Sequence, residues 1–475
     1  MAYDRQLAKK SENVSDWYNK VIMEAELADY GPVKGTMIFR PYGYRIWELV
    51  QEAMDAKIKA RGVDNAYFPL FIPESFLKKE AKHVEGFAPE LAVVTIGGGE
   101  ELEEKLVVRP TSETIMYDAY ARWVQSWRDL PVMINQWNNV VRWEKRTYLF
   151  MRTTEFLWQE GHTAHATHDE AQDLQRWAIE MYAKIYRDLF ALPGFLGHKS
   201  DSERFAGADD SLTYELLMPG GKALQGCTSH DLGQNFSKAF GINFQSKEGT
   251  EEKVWQTSWG FTTRSIGGLI MAHGDDKGLV LPPKLAPVQV VVVPVRMEEG
   301  VMKFADEVAA ELKSAGLRVK VDDRDGESFG FKANKWELRG VPVRLEIGPR
   351  EADAQQVTVA RRTGGEKVTV PAEGLAKHLA AVLDEVQSGL LEAAEKQLRE
   401  NTRHAKTWEE FKQIMAEHKG FIRAPWCERP ECEAAIKEET TATTRCLELD
   451  AKPATGKCVH CDHNAKYEWL FAQSY

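Results

Sequence analysis

The stretch from residue 192 to residue 283 constrains the fold most, because it consists of short strand-like segments broken by glycine. Examples are "TYELLMPGGKALQGCTSHDLG" and "VWQTSWGFTTRSIGGLIMAHG", and no long helical pattern intervenes before about residues 265–273. Parallel neighbours in a sheet need a long crossover, usually a helix, whereas antiparallel neighbours can be joined by tight turns. The stretch therefore predicts a mainly antiparallel sheet.

Helical patterns precede this stretch and lead into it. Apolar residues at helical spacing predict one helix from about Tyr44 to a C-terminal cap at Gly62, and a longer helix over about 169–191. Between them, "VDNAYFPLFIP" (63–73) predicts a single strand that stops at its last proline. We therefore expect residues 1–284 to form an α+β domain whose helices flank the sheet.

The pattern changes after "LVLPPKLAP" (279–287), whose three prolines mark a linker. Strands such as "VQVVVVPV", "LRVKV" and "VRLEIG" then alternate with helical segments, which predicts an α/β domain with a mixed sheet in residues 285–398. Residues 399–475 hold five of the six cysteines. We expect them to form a small α+β domain with little apolar core of its own.

The cysteine spacing in this tail is typical of a metal site. Two pairs are separated by 25 residues, and together they comprise Cys427, Cys432, Cys458 and Cys461. Four thiolates suit tetrahedral structural Zn²⁺. His460 and His463 are alternative ligands, and four reduced thiols without a metal are the alternative to a site.

The net charge and the distribution of apolar residues exclude some classes of protein. A net charge of −11 argues against a main function in non-specific nucleic-acid binding, although a local basic face remains possible. The sequence has no run of about 18 apolar residues and its N-terminal segment has no apolar signal core. We therefore expect a cytoplasmic protein that does not enter a membrane.

Cations and aromatic residues are concentrated in "RWEKRTYLFMRTTEFLWQEGHTAH" (142–165). A fixed polyanion that carries a flat ring would need such a site. Nearby, "RPTSET" places Thr111 and Glu113 two residues apart, which on a strand would put them on one face. Each feature alone is weak, because an isolated arginine or glutamate is usually a solvated surface group.

The order of the motifs is specific, and it identifies a family. The chain resembles the class II aminoacyl-tRNA synthetases, and most closely the prolyl-tRNA synthetases of the archaeal and eukaryote-like form. "FPLFIP", residues 142–165 and "TTRSIGGLIMAHGDDKGLVLPP" resemble motifs 1, 2 and 3 of the class. "RPTSE", "FLWQEGHTAHAT" and "QGCTSHDLGQNF" resemble the proline enzyme in particular.

The resemblance implies a proline–tRNA ligase that uses ATP and Mg²⁺. By resemblance, Arg142 bridges the α-phosphate and the proline carboxylate, and Arg152 takes the outer phosphates. Phe156 and Arg264 enclose the adenine ring. Arg142, Arg152 and Arg264 are the expected catalytic residues, and the expected ATP site is Arg142, Glu144, Arg152, Phe156, Gln225, Thr228, Thr262 and Arg264.

The resemblance also implies a pocket for L-proline. Glu113 and Thr111 are expected to accept hydrogen bonds from its secondary amine. The full expected set is Phe87, Thr111, Glu113, Arg142, Trp158, His162, Phe205 and His230. Bacterial-type relatives carry an editing insertion between motifs 2 and 3, whereas Phe156 and Arg264 are only 108 positions apart here. We therefore expect no editing domain in this chain, and we expect alanine to enter the pocket.

The remaining expectations concern binding partners and alternative functions. The second domain resembles an anticodon-binding domain for tRNA(Pro), with candidate contacts Arg324, Lys335, Glu337, Arg344, Glu346 and Arg350. A homodimer is expected through residues 44–73. Alternative functions are a threonine or glycine enzyme of the same class, an inactive tRNA-binding relative, and a zinc-ribbon nucleic-acid module.

Overall fold

The computed structural model describes residues 7–79 and 91–475. Up to residue 284 the helices it describes are α1 (Val14–Glu24), α2 (Pro41–Ala60), α3 (Glu74–Leu77), α4 (Glu113–Trp123), α5 (His168–Asp188), α6 (Asn235–Phe240) and α7 (Arg264–His273). The strands are β1 (Ala28–Tyr30), β2 (Met37–Phe39), β3 (Asp64–Asn65), β4 (Phe71–Pro73), β5 (Ala92–Gly97), β6 (Glu100–Val108), β7 (Val132–Val141), β8 (Glu155–His165), β9 (Gly194–His198), β10 (Asp210–Met218), β11 (Lys222–Gly233), β12 (Asn243–Gln245), β13 (Glu251–Lys253) and β14 (Trp255–Thr262).

The rest of the chain alternates strands and helices. Residues 285–400 contain β15 (Val290–Pro294), α8 (Glu299–Ser314), β16 (Val319–Val321), α9 (Phe329–Leu338), β17 (Val343–Ile347), α10 (Pro349–Ala354), β18 (Gln356–Arg361), β19 (Val368–Pro371) and α11 (Leu375–Glu400). The tail contains β20 (Thr402–His404), α12 (Trp408–Glu417), β21 (Phe421–Trp426), α13 (Pro430–Thr440), β22 (Ala442–Glu448) and β23 (Tyr467–Ser474).

The central layer is an eleven-stranded sheet, counted over the described residues, in the order β20-β21-β23-β22-β9-β10-β11-β14-β8-β7-β3. From β9 to β7 every neighbouring pair is antiparallel, which confirms the prediction made from the glycine-broken segments. Helix α5 packs against β11 and β14 on one face, where the Tyr182 hydroxyl donates to the Gln159 side chain. Helix α5 does not cover the opposite face of these strands, which is therefore available for a functional site.

The predicted single strand over residues 63–73 is wrong. Its first part is β3, which pairs with β7, and its last part is β4, which pairs with β6 in a separate three-stranded sheet. Pro69 lies between them, and since proline has no N–H group it cannot continue the ladder. The chain leaves one sheet at this point and enters another.

The expected strand placement of Thr111 and Glu113 is also wrong. Strand β6 ends at Val108, and Glu113 is the first residue of α4. Pro110 removes a ladder donor directly after the strand. The two side chains nevertheless meet, because the Thr111 hydroxyl donates to the Glu113 carboxylate across the start of the helix.

The second unit has the predicted mixed sheet, in the order β16-β15-β17-β18-β19. Strand β15 is parallel to β16 and β17, whereas β17-β18 and β18-β19 are antiparallel. This unit docks on the first through several polar contacts. Arg362 pairs with Asp275, with Nη1 2.8 Å from a carboxylate oxygen, and the Leu279 N–H donates to the Leu338 carbonyl at 2.9 Å.

The tail departs from expectation in two ways. It has a substantial apolar core that includes Phe411, Trp426, Trp469 and Phe471, so the expectation of little core is wrong. Its sheet also continues the central sheet, because β22 pairs with β9 and β23 pairs with β11. Dividing the sequence into domains by composition cannot reveal that two of these domains share one sheet. No helix in the described ranges is long and apolar enough to cross a membrane.

Candidate active site

The site is built on the open face of β8, β11 and β14. Alternation along β8 places Phe156, Trp158, Glu160 and His162 on one face, since successive side chains in a strand point to opposite sides. Strand β11 contains a bulge at Gly226, where the register with β10 shifts. A bulge changes the phase of a strand by one residue, which brings more of β11 to the site.

These strands enclose a cavity of about 360 Å³. Every described residue that the sequence predicted for ATP or proline lines it: Thr111, Glu113, Arg142, Glu144, Arg152, Phe156, Trp158, His162, Phe205, Gln225, Thr228, His230, Thr262 and Arg264. Phe87 was also predicted, and it lies outside the described residues. The cavity therefore joins parts of the chain that are separated by up to 153 positions, from Thr111 to Arg264.

One end of the cavity is a buried acidic cluster of Glu113, Glu160 and His162. Glu160 is its centre, because it accepts hydrogen bonds from the Ser112 N–H at 3.1 Å and from Asn138 Nδ2 at 2.7 Å. Ser112 Oγ and Gln136 also donate to it, and His162 Nε2 lies 2.9 Å from it. Burial opposes its charge, but the hydrogen bonds and His162 prevail and lower its pKa.

The pKa values of the two histidines of the cavity are shifted in opposite directions. Burial lowers the pKa of His162, but the neighbouring Glu113 and Glu160 outweigh it and the net shift is upward. Burial, together with the charge of Lys199, lowers the pKa of His230 to about 3, so this ring is neutral. The His230 ring stacks on Phe205 with centroids 4.6 Å apart. The acidic end of the cavity therefore faces a neutral wall formed by the His230 and Phe205 rings.

The other end of the cavity is cationic. Arg142 donates from Nε to the Pro110 carbonyl at 3.0 Å, and its guanidinium carbon lies 5.4 Å from the Phe156 ring centroid. Arg264 donates to the Met151 carbonyl at 2.9 Å. Burial lowers the pKa of Arg264, and the charges of Arg142 and Arg152 add to this shift. Three like charges held together in this way create a strong field for a polyanion.

Sequence reasoning missed Glu160 and Lys199 as cavity residues. Glu160 had a detectable signal, since it lies between Trp158 and His162 at strand spacing. Lys199 had no signal in the sequence, because it follows β9 and only the three-dimensional fold brings it to the cavity.

Comparisons with known proteins agree with this geometry. The tRNA synthetase class II core domain (G, H, P, S and T) matches residues 94–273, an anticodon binding domain matches 289–381, and the prolyl-tRNA synthetase C-terminal domain matches 408–475. Proline–tRNA ligase 2 of Clostridioides difficile (strain 630) is 50% identical over 99% of this chain and 98% of that protein. The chain belongs to the proline–tRNA ligase family.

Other members of the proline–tRNA ligase family are also similar over most of the chain. The Rubrobacter xylanophilus proline–tRNA ligase is 53% identical over 94% of each chain. The crystal structure of the prolyl-tRNA synthetase from Cryptosporidium parvum, complexed with halofuginone and AMPPNP, superposes with a TM-score of 0.94. That protein is 44% identical, and the match covers 98% of this chain and 96% of that one. The resemblance inferred from the motifs is confirmed.

In the tail, residues 399–475, four cysteine sulfur atoms lie close together. The Sγ atoms of Cys427 and Cys461 are 3.6 Å apart, as are those of Cys432 and Cys458, and all four lie within 4.8 Å of one another. Zn–S bonds of about 2.3 Å in a tetrahedron require sulfur separations of about 3.8 Å. The four side chains therefore fit Zn²⁺.

The alternative ligands lie beside the four sulfur atoms but outside the group that they form. His460 Nδ1 lies 3.6 Å from Cys432 Sγ, and its Nε2 lies 3.0 Å from Glu439. His463 Nδ1 lies 3.5 Å from Cys461 Sγ, and its Nε2 contacts Arg429. Cys446 is buried in a different apolar cluster.

Most of the residues predicted to contact the anticodon are already in ion pairs within the chain. Arg324 is held by Asp322, and Arg344 is held by Glu346 at 2.9 Å. Lys335 and Glu337 instead face the first unit, 3.5 Å from Glu26 and 3.1 Å from Lys277 respectively. Arg350 is exposed. Their anticodon role stays a prediction.

Proposed function

We propose that this chain activates L-proline with ATP and transfers it to the 3′ end of tRNA(Pro). The observation that carries the proposal is a single cavity with three arginines at one end and a buried acidic cluster behind an aromatic wall at the other. The first end suits a nucleotide triphosphate and the second suits a small cyclic ammonium. The ATP analogue in the Cryptosporidium parvum structure supports the use of ATP.

The first step joins the proline carboxylate to the α-phosphorus of ATP and releases pyrophosphate. The nucleophile is already an anion, so no general base is needed, and the barrier is repulsion between anions and charge on phosphorus. Fixed cations lower such a barrier electrostatically. We assign Arg142 to the α-phosphate and the carboxylate, and Arg152 to the outer phosphates. Phe156 and Arg264 enclose the adenine, by stacking and by a cation–π contact.

The neighbouring polar groups complete the ATP site in this proposal. Gln225, Thr228 and Thr262 line the same cavity. Glu144 lies 3.8 Å from Arg152 and is the carboxylate that would hold Mg²⁺ together with the phosphates of ATP. When bound, that ion neutralises phosphate charge.

Proline recognition is assigned to the acidic end. Glu113 and the Thr111 hydroxyl would accept from the secondary amine, while Trp158, Phe205 and His230 form the wall around the ring. Glu160 holds His162 and the Ser112 backbone in place through its hydrogen bonds. The proposed function is tested by charging purified tRNA(Pro) with labelled proline. Failure of proline to reach the tRNA, with the protein folded, would contradict the proposed function.

The domain division and the location belong to this proposal. We propose that the first unit catalyses, that residues 285–398 bind the anticodon stem of tRNA(Pro), and that residues 399–475 form a zinc-binding domain. Helix α11 runs through the second boundary, so the last two units share an element. We place the reaction in the cytoplasm, because free thiolates for zinc persist in a reducing compartment.

We propose that the chain forms a homodimer through the C-terminal part of the expected segment, residues 44–73, together with the short sheets beside it. The apolar face of α2, including Ile46, Val50 and Met54, is fully buried in the chain's own core. Exposed apolar side chains lie on and beside the short sheets, and Tyr67 and Phe71 among them fall within residues 44–73: Tyr30, Ile38, Tyr67, Phe71, Val93 and Ile96. We propose that they contribute to the dimer contact, because an exposed apolar patch marks an interaction surface.

Sedimentation velocity at micromolar concentration should show a dimer, and Phe71→Asp should shift it toward monomer. The equally exposed Val368, which lies in the second unit, offers a matched control, since Val368→Asp should leave the dimer intact. A wild-type monomer that makes prolyl-adenylate would contradict the dimer.

The zinc proposal predicts one Zn²⁺ per chain in protein purified without chelator. Cys458→Ser should lower the zinc content strongly, because it removes one of four thiolates. Cys446→Ala should retain one zinc, since this thiol lies outside the cluster. Because the tail has its own apolar core and shares a sheet with the first unit, chelation should loosen residues 427–461 and leave the rest folded. Elemental analysis that finds no metal in the wild type would contradict the site.

A pocket built for proline should also admit alanine, because a smaller side chain meets no steric barrier there. The loss of apolar contact gives a preference of only about 10²- to 10³-fold. We propose that this chain does not correct the error. Alanyl-tRNA(Pro), prepared separately and returned to the enzyme, should lose its alanine no faster than without enzyme. Rapid enzyme-dependent deacylation would show an editing site in the chain.

A further inference from the structure

A second cavity of about 170 Å³ opens beside the main one. The two share a wall formed by Met151, Arg152, Lys199, Glu203, Gln225 and Arg264. Arg445 of the tail and Tyr475 close the far side. This side cavity is therefore enclosed jointly by the first unit and the tail, and it is adjacent to the proposed ATP site.

Cations outnumber anions around the side cavity. Its described charged side chains are Arg152, Lys199, Arg264, Arg445 and Glu203. Three of these cations already have partners within the described chain. Arg445 donates from Nε to Glu215 at 2.9 Å, Arg264 donates to the Met151 carbonyl, and Arg152 lies 3.8 Å from Glu144.

Lys199 is different, because the residue is only 9% exposed and no hydrogen bond or ion pair of its amine is found among the described residues. Its backbone N–H donates to the Ser211 carbonyl at 2.8 Å, which fixes the start of the side chain. Burial lowers the pKa of its amine, an effect that the charges of Glu215 and Glu203 oppose and that of Arg445 reinforces. A buried ammonium with no direct hydrogen bond or ion pair is unfavourable unless an anion completes its surroundings.

We propose that the side cavity is a pyrophosphate subsite and that Lys199 is a direct ligand of the diphosphate. The inference rests on the proposed function, in which pyrophosphate is the leaving group of the first step. Arg152, which is assigned to the outer phosphates of ATP, lines both cavities and can therefore hold the diphosphate as it passes from one to the other. The side cavity has less than half the volume of the main one, which suits the small product rather than the nucleotide.

The test varies pyrophosphate in the proline-dependent ATP–pyrophosphate exchange reaction of Lys199→Met and Lys199→Arg. Loss of a charge-assisted contact should raise the KM for pyrophosphate about 10- to 100-fold in Lys199→Met. Lys199→Arg, which keeps the charge, should recover part of that loss. Lys184 is an exposed lysine on α5, and Lys184→Met should leave the KM for pyrophosphate unchanged.

Calorimetry with pyrophosphate alone, compared with orthophosphate, makes the test independent of catalysis. Weaker pyrophosphate binding by Lys199→Met than by wild type supports the subsite. An unchanged KM and affinity for pyrophosphate would overturn it, as would equal loss of pyrophosphate and orthophosphate binding.

A purely structural role would instead lower the Tm and raise the KM values for ATP and proline together, which also overturns the proposal. Slower transfer from preformed prolyl-adenylate to tRNA, with an unchanged KM for pyrophosphate, would assign Lys199 to the tRNA phosphates. Wild-type protein without any proline-dependent exchange would refute the proposed function, whereas the calorimetry would still decide the subsite.

Discussion

Replacing Arg142 by alanine should lower the kcat for ATP–pyrophosphate exchange by two to three orders of magnitude, with the fold retained. The proposed contact of Arg142 with both the α-phosphate and the carboxylate strengthens as charge develops in the transition state. Removing one preorganised donor to such charge typically costs about 10²- to 10³-fold. The measurement is steady-state exchange at saturating proline, with circular dichroism to check folding.

Arg146 provides a matched control for this variant. It belongs to the same cationic stretch, but it is exposed and does not line the cavity. Arg146→Ala should therefore keep near wild-type exchange. Near wild-type exchange in Arg142→Ala would show that the phosphate contact is made by another residue.

Replacing Glu113 by glutamine should raise the KM for proline about 10- to 100-fold and leave the KM for ATP nearly unchanged. The substitution keeps the shape of the side chain and removes its charge, so the hydrogen-bonded ion pair with the secondary ammonium becomes a weaker hydrogen bond to a neutral amide oxygen. Glu113 is 3% exposed, so water cannot replace the lost interaction. Exchange kinetics with proline and ATP varied separately would measure the difference.

Glu155 is the control for the loss of a carboxylate. It lies at the start of β8, is exposed, and accepts from Asn139 at 2.8 Å outside the cavity. Glu155→Gln should change neither KM. If Glu113→Gln raised both KM values equally, the carboxylate would support the fold of the cavity and would not bind the amine selectively.

Periodic patterns predicted the parts of this fold that local physics determines. The apolar residues of α2 recur at helical spacing because they are buried together, and Gly62 ends the helix at a positive φ of 87° that favours glycine. The glycine-broken segments predicted antiparallel pairing because their connections are too short for crossovers. The site residues followed from the motifs that line the cavity, which lie on β8, β11 and β14 and at the starts of α4 and α7.

Features that depend on long-range contacts were not predictable from the sequence. The split of residues 63–73 into β3 and β4 depends on which sheet each half meets, although Pro69 was a usable signal. The buried pair of Arg445 and Glu215 joins residues 230 positions apart, and no local pattern announces it. Lys199 enters the cavity for the same reason, because its position is set by neighbouring strands and the tail.

The most direct test of the proposed function is ATP–pyrophosphate exchange screened over all the standard amino acids with the wild-type chain. The proposed function predicts the highest kcat/KM with proline, weaker exchange with alanine, and none above background with threonine or glycine. Exchange with threonine or glycine and none with proline would contradict the assignment of the acidic end of the cavity to a cyclic secondary amine.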